Sequence, residues 1–126
     1  MELISENPIN PTAMYDLVAK NSSGSVVFHY AVVKEQQSHD KATIGIEYQS
    51  AGDTEAELRG IAAELKQGWQ LEDVLLVRRT GTLQVGDIIS LIAASSPNSE
   101  DAFASCRHGI SLMKKMAAIR KNEMYG

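Results

Sequence analysis

Two apolar runs constrain this chain more than any other feature: Ser25-Val-Val-Phe-His-Tyr-Ala-Val-Val-Lys34 and Asp87-Ile-Ile-Ser-Leu-Ile-Ala-Ala94. Both are short, and the first is rich in β-branched and aromatic residues, so each is predicted to be a largely buried strand. Thr43-Ile-Gly-Ile-Glu-Tyr48 alternates and reads as another strand, as does Val74 to Val77. Gly81 and Gly86 punctuate a short Thr82–Val85 segment. Helical signals sit between these runs. Asn10 before Pro11 marks a helix start, followed by a short helix to about Val18. Thr54 and Glu57 have the spacing of a capping box, opening a helix in which Leu58, Ile61, Ala62 and Leu65 recur at helical period until Gly68. Phe103, Cys106, Ile110, Met113 and Ala117 are predicted to line one face of a final helix. Asn21-Ser-Ser-Gly24 reads as a loop, and the polar run Glu35 to Lys41 as a flexible connection. The mixture predicts an α+β fold, without an internal repeat or a linker.

A length of 126 residues suits one domain, spanning 1–126, with enough chain to bury a real core. The formal charge of −4, with no basic block interleaved with aromatics, argues against a general nucleic-acid binder. Met1-Glu-Leu-Ile-Ser-Glu-Asn-Pro8 lacks the positive region and apolar run of a signal peptide. No stretch has the apolar length needed to cross a bilayer. The single cysteine, Cys106, excludes an internal disulfide and a cysteine-rich zinc site, which fits a reducing compartment. The expectation is a cytoplasmic protein that binds neither membrane nor nucleic acid.

Candidate chemistry concentrates in the last third. Lys114 and Lys121 fall near the end of the final predicted helix without an adjacent acidic partner. Lysine is a hydrated point charge that binds anions, and it serves as acid, base or nucleophile when desolvated. The bland reading is that both are solvated cations favoured by the helix dipole. Their spacing is about two helical turns, so they share a face only if the helix continues through Ala117 and Ala118. Other residues carry less. His29 lies in an apolar strand, where a core or interface histidine is commoner than a metal ligand. His39 and His108 have no metal-site spacing with it. Gly81-x4-Gly86 lacks the lysine and hydroxyl residue of a phosphate loop. Cys106, on an apolar helix face, reads as core rather than nucleophile. Met113 and Met116 read as packing that is also able to floor a pocket.

These residues carry a resemblance beyond spacing. Ile4-Ser-Glu-Asn-Pro-Ile-Asn-Pro11, Gly24-Ser-Val-Val-Phe28, Ile46-Glu-Tyr48, Arg79-x-Gly-x-Leu-x-Val-Gly-Asp87, Ser95-Ser96 with Ala102-Phe103, and Lys114-x6-Lys-x-Glu-x-Tyr125 stand in a distinctive order. In that order the chain resembles the large, catalytic subunit of molybdopterin synthase over nearly its whole length. The resemblance implies a hammerhead-type α+β fold with a mixed, mainly antiparallel sheet and flanking helices. It also implies a homodimer that becomes a heterotetramer with a ubiquitin-like sulfur-carrier small subunit. The carrier's terminal thiocarboxylate would deliver sulfur to cyclic pyranopterin monophosphate, building the molybdopterin dithiolene. No cofactor or metal is implied, and the sulfur nucleophile comes from the partner. Lys114 and Lys121 match the family's two active-site lysines. Their implied roles are to stabilise the tail's carboxylate and the developing negative charge, with one moving protons if burial lowers its pKa.

The chain also departs from that family. Its usual His-Arg at the start of the last helix is Asn98-Ser99 here, followed by Glu100 and Asp101. Carboxylates in that turn repel the phosphate that a helix N-terminus with an arginine would hold. The family's strand-end glycine and arginine are Ala31 and Lys34, its helix-interrupting proline is Ala118, and its tryptophan before the second lysine is Arg120. Lysine keeps charge but lacks the bidentate fork of arginine. Lys34, Arg79 and Arg120 are therefore candidates, with Asn98 and Ser99 at the matched positions, for contacting the substrate. Against this, Arg79 pairing locally and Arg120 lying on the surface are equally open. Three functions follow: a working sulfurtransferase subunit, a weakened relative that dimerises and binds the carrier, or an unrelated binding module sharing only the fold.

Overall fold

The computed structural model describes residues 1–35, 37–38 and 41–125. The elements in chain order are β1 (Glu2–Ser5), a 3-10 turn (Pro11–Ala13), α1 (Tyr15–Val18), β2 (Ser25–Val32), β3 (Gln37–Ser38), β4 (Lys41–Ser50), α2 (Thr54–Gly68), β5 (Asp73–Arg79), β6 (Gly81–Gln84), β7 (Ile88–Ser96), α3 (Ser99–Lys114) and β8 (Ile119–Tyr125). This is the expected α+β fold. Its strands divide into two sheets.

The first sheet has the order β1-β5-β7-β2, and only β1 and β5 run parallel. In the second, β4 pairs with β3, β6 and β8, all antiparallel. The strand predicted over Val74 to Val77 runs from Asp73 to Arg79, and β1 had no periodic signal in the sequence. β2 is not the largely buried strand expected from its composition: it lies at the sheet edge and most of its residues are half-buried. Aromatic side chains cover one face of it, with Phe28 stacked between Tyr15 and Tyr30. The segment Glu35 to Lys41 contains a short paired strand at Gln37–Ser38 rather than only a connection. Gln36, His39 and Asp40, which belong to that expected connection, lie outside the described residues.

Strand alternation gives the first sheet two different faces. Val74, Leu76, Ile92 and Ala94 face α2 and α3, meeting Leu58, Ile61, Leu65, Cys106 and Met113. Leu75, Val77, Leu91 and Ala93 face the other way, under Ile9 and Val18. A smaller core of Val33, Ile46, Tyr48 and Leu83 serves the second sheet.

Both long helices begin with side-chain caps. Asp53 accepts from the Ala56 N–H at 2.9 Å and Asn98 from the Asp101 N–H at 2.8 Å. The expected box of Thr54 with Glu57 therefore does not cap α2, because Asp53 already does. The periodic residues Leu58, Ile61, Ala62 and Leu65 are buried as expected. In α3 the buried face is Ala102, Ser105, Cys106, Gly109 and Met113, while Phe103 is 60% exposed. The expected stripe was offset because small residues decide how closely this helix packs. A Cβ on Gly109 would meet Leu65 Cδ1 at 3.1 Å and Ile92 Cγ2 at 3.4 Å.

Candidate functional site

Where α3 ends, the helix-covered face of the first sheet opens into a pocket of about 530 Å³. Ala31, Ser90 and Ile92 line it from the first sheet, Ile46 and Tyr48 from β4, and Met113 and Met116 from the end of α3 and beyond. Lys34, Lys114 and Lys121 line it from three separate segments. The geometry joining the last two differs from one continuous helix. α3 stops at Lys114, Lys115 takes φ −101° and ψ 10°, and the chain reverses into β8. Ala117 is thus outside the helix. Lys121 still reaches the pocket because Ile119, Lys121 and Glu123 alternate onto the same side of β8.

The reversal is held from α2. Glu57 accepts from the Ala117 N–H at 2.9 Å and from the Ala118 N–H at 2.8 Å, one on each carboxylate oxygen. Thr54 Oγ1 donates to the Ala118 carbonyl at 2.8 Å, and the Ala51 N–H donates to the same oxygen at 2.9 Å. The pair that looked like a capping box therefore satisfies the backbone of the segment between the two lysines.

Of the two lysines expected to lack an acidic partner, Lys114 forms no ion pair with a described carboxylate, whereas Lys121 does. Lys121 pairs with Glu123 at 3.5 Å. Glu123 also accepts from the Tyr125 hydroxyl, which together with Lys121 holds its carboxyl below the usual range. Lys34, Lys114 and Lys121 are exposed, so this chain alone does not supply the burial that a proton-moving lysine requires.

Two consecutive arginines on β5 point in opposite directions. Arg79 donates to the Glu6 carbonyl at 3.4 Å and lies 3.9 Å from an Asp87 carboxylate oxygen, outside the pocket. Arg78 lines the pocket and is 8% exposed. Its Cζ lies 4.4 Å from the centroid of the Tyr48 ring. Burial lowers the Arg78 pKa, and Tyr48 opposes that shift. Arg78 Nε has no hydrogen-bond partner among the described residues. Sequence motifs singled out Arg79 and missed Arg78. The available signal was parity, because Arg78 shares its face with Val74 and Leu76.

The remaining candidates lie elsewhere. Asn98 and Ser99 are exposed at the opposite end of α3, where Ser99 Oγ is 2.6 Å from Ser25 Oγ. Arg120 is exposed on β8 and does not line the pocket. His29 does line it, with Nδ1 unpartnered among the described residues. His108 instead meets Glu64 across α2 and α3. Cys106 donates to the Val27 carbonyl at 3.7 Å, and burial pushes its thiol up to about 11, as befits core. Among the described residues, no group of three or more His, Cys, Asp or Glu is arranged to hold a metal. No helix among them is long and apolar enough to cross a membrane.

Comparison with known proteins places this geometry among relatives. The family model described as MoaE protein matches residues 4–116. A molybdopterin synthase catalytic subunit from a Nostoc species is 31% identical over 118 residues, covering 92% of this chain and 71% of that protein. The crystal structure of molybdopterin synthase from Staphylococcus aureus superposes with a TM-score of 0.91 at 29% identity, covering 98% of this chain and 90% of that one. A Helicobacter pylori structure, a complex of subunits 1 and 2 of molybdopterin-converting factor, shares the fold with a TM-score of 0.78 at 12% identity. It covers 98% of this chain and 84% of that one.

Proposed function

Because the chain belongs to the MoaE protein family, whose relatives include molybdopterin synthase catalytic subunits, we propose that it is the sulfur-transferring subunit of such a synthase. Its place is in molybdenum cofactor biosynthesis. The proposed reaction takes sulfur from the C-terminal thiocarboxylate of a ubiquitin-like small subunit to cyclic pyranopterin monophosphate. Each transfer forms one carbon–sulfur bond on the pterin. Water takes the sulfur's place at the carrier's terminal carbonyl and leaves a carboxylate. Two transfers complete the dithiolene.

The observation that carries this reading is the convergence of Lys34, Lys114 and Lys121 on one pocket from different segments. Both reactants are anionic, and charge develops as sulfur moves, so preorganised cations favour the transition state. In this reading Lys114 and Lys121 face the reacting end of the carrier tail, and Lys34 contributes to holding the substrate. The exposed lysines become desolvated when the tail covers the pocket mouth. The Helicobacter pylori structure that shares the fold is a complex of subunits 1 and 2 of molybdopterin-converting factor, and a two-subunit assembly is proposed for this chain by analogy. The proposed assembly is a homodimer with one carrier on each copy, working in the cytoplasm.

A second reading rests on the α3 start. Asn98 is occupied by its cap and Glu100 and Asp101 occupy the first turn, so this turn disfavours phosphate. A relative weakened in catalysis, yet dimeric and able to bind the carrier, fits that observation. Single-turnover molybdopterin formation with purified protein, thiocarboxylated small subunit and cyclic pyranopterin monophosphate separates the readings. Product that disappears in Lys114→Ala supports the enzyme. Carrier binding without product favours the weakened relative, and no carrier binding sinks both.

A further inference from the structure

Arg78 is the least explained residue of the pocket. Strand alternation carries it off the end of the helix-covered core, in line with Val74 and Leu76, so that it emerges where α3 stops. It is more than nine-tenths buried, yet its Nε has no partner among the described residues. No described carboxylate forms an ion pair with it. A buried charge without a counterion destabilises the fold that carries it. Tyr48 offsets part of this by covering the guanidinium with its ring. The Nε–H keeps no protein acceptor among the described residues, and a guanidinium N–H of that kind is the donor that reads an oxyanion.

The surrounding charges favour the same occupant. Arg78, Lys34, Lys114 and Lys121 line the pocket, with Glu123 as the described carboxylate among its walls. That carboxylate is already engaged by Lys121 and Tyr125. The lysines are point charges at the rim, whereas Arg78 is the guanidinium in the lining. Only a guanidinium presents a planar fork that meets two oxygens of one group.

We propose that Arg78 is the oxyanion anchor of this pocket, taking two oxygens of an entering phosphate or carboxylate on its donor edge while the rim lysines cover the same group. The identity of the two anions rests on the proposed function: the cyclic phosphate of the pterin, or the terminal carboxylate of the carrier. The anchor fixes where the anion sits, and Lys114 and Lys121 act on what is held there.

The test titrates inorganic phosphate, and separately a decapeptide ending in Gly-Gly with a free C-terminal carboxylate, into the wild-type chain, Arg78→Gln and Arg78→Lys. At least one probe is expected to bind wild type and to weaken tenfold or more in Arg78→Gln, with Arg78→Lys recovering only part. The affected probe identifies the source, and an amidated peptide checks the carboxylate. The Arg78 Nε–H resonance of wild-type protein, followed by NMR during the titration, gives a readout that needs no folded variant; it is expected to shift and saturate with the same Kd. Binding in Arg78→Gln within twofold of wild type for both probes, an unmoved resonance, or no binding of either probe to wild type overturns the anchor. Single-turnover assays separate this from the reaction itself. Arg78-dependent anion binding in a protein that forms no molybdopterin keeps the anchor and removes the reaction. Single-turnover product formation by Arg78→Gln with an unchanged rate and an unchanged dependence on both pterin and carrier concentration does the reverse.

Discussion

The two ends of α3 make opposite electrostatic choices. At its start, Asn98 caps the helix and Glu100 and Asp101 sit in the first turn, so the positive end of the dipole is answered within the chain. At its end, Lys114 lies beside a pocket also lined by Lys34, Arg78 and Lys121. A helix N-terminus is the ordinary place to receive an anion. Here the electropositive cavity is at the C-terminus instead. The difference teaches that charged side chains gathered from four separate segments, and not the helix dipole, set the sign of this site.

The sharpest way to break that comparison is to remove the cation at the C-terminal end. Lys114→Ala is expected to lower single-turnover molybdopterin formation by about 100-fold or more with little change in Tm. An unaltered rate would mean that the pocket is not where sulfur moves. The turn beyond the helix is the next target. Glu57→Ala leaves the Ala117 and Ala118 N–H groups without their acceptor, and is expected to cost about 1–3 kcal/mol in urea unfolding and to slow turnover. Full activity in Glu57→Ala would show that Lys121 finds its position without the clamp.

Between the two ends, Cys106 supplies a pH probe. Its thiol is raised by burial to about 11 in the folded chain, from an ordinary value of 9.0. The folded state therefore holds its proton longer than the unfolded state. This contribution is full below about pH 9 and is lost as pH rises towards 11, by about 3 kcal/mol at most. Comparing the pH dependence of unfolding in wild type and Cys106→Ala isolates it. The same decline in both would contradict a buried, protonated thiol. The smallest expected effect is at the helix start. Asn98→Ala should cost about 1 kcal/mol of stability by losing the cap, with pterin KM within twofold of wild type. A larger rise in KM would mean that this end reaches a pocket on a second copy, which would redraw the contrast.

Much of the fold was legible because its signals are local. The apolar runs became β2 and β7, and the periodic residues of α2 are buried as their spacing implied. The errors came from interactions that spacing cannot see. Helical periodicity from Phe103 to Ala117 continued past the true end of α3, because the stop is imposed by Glu57 and by β8 pairing with β4. Thr54 and Glu57 had the right residue types for a local cap, yet their partners are far along the chain. The lysines were legible through family resemblance, and the pocket brings them together across a strand instead of along a helix. Arg78 stood beside the motif arginine. Only the strand's two-residue period separates the one facing the pocket from the one facing Asp87.

The hold of Glu57 on Ala117 and Ala118 has a consequence for anyone wishing to move this chemistry to another scaffold. A graft of α3 and β8 would carry both lysines and still omit the part that fixes their separation. The smallest transplantable unit must include the beginning of α2, which donates no side chain to the cavity.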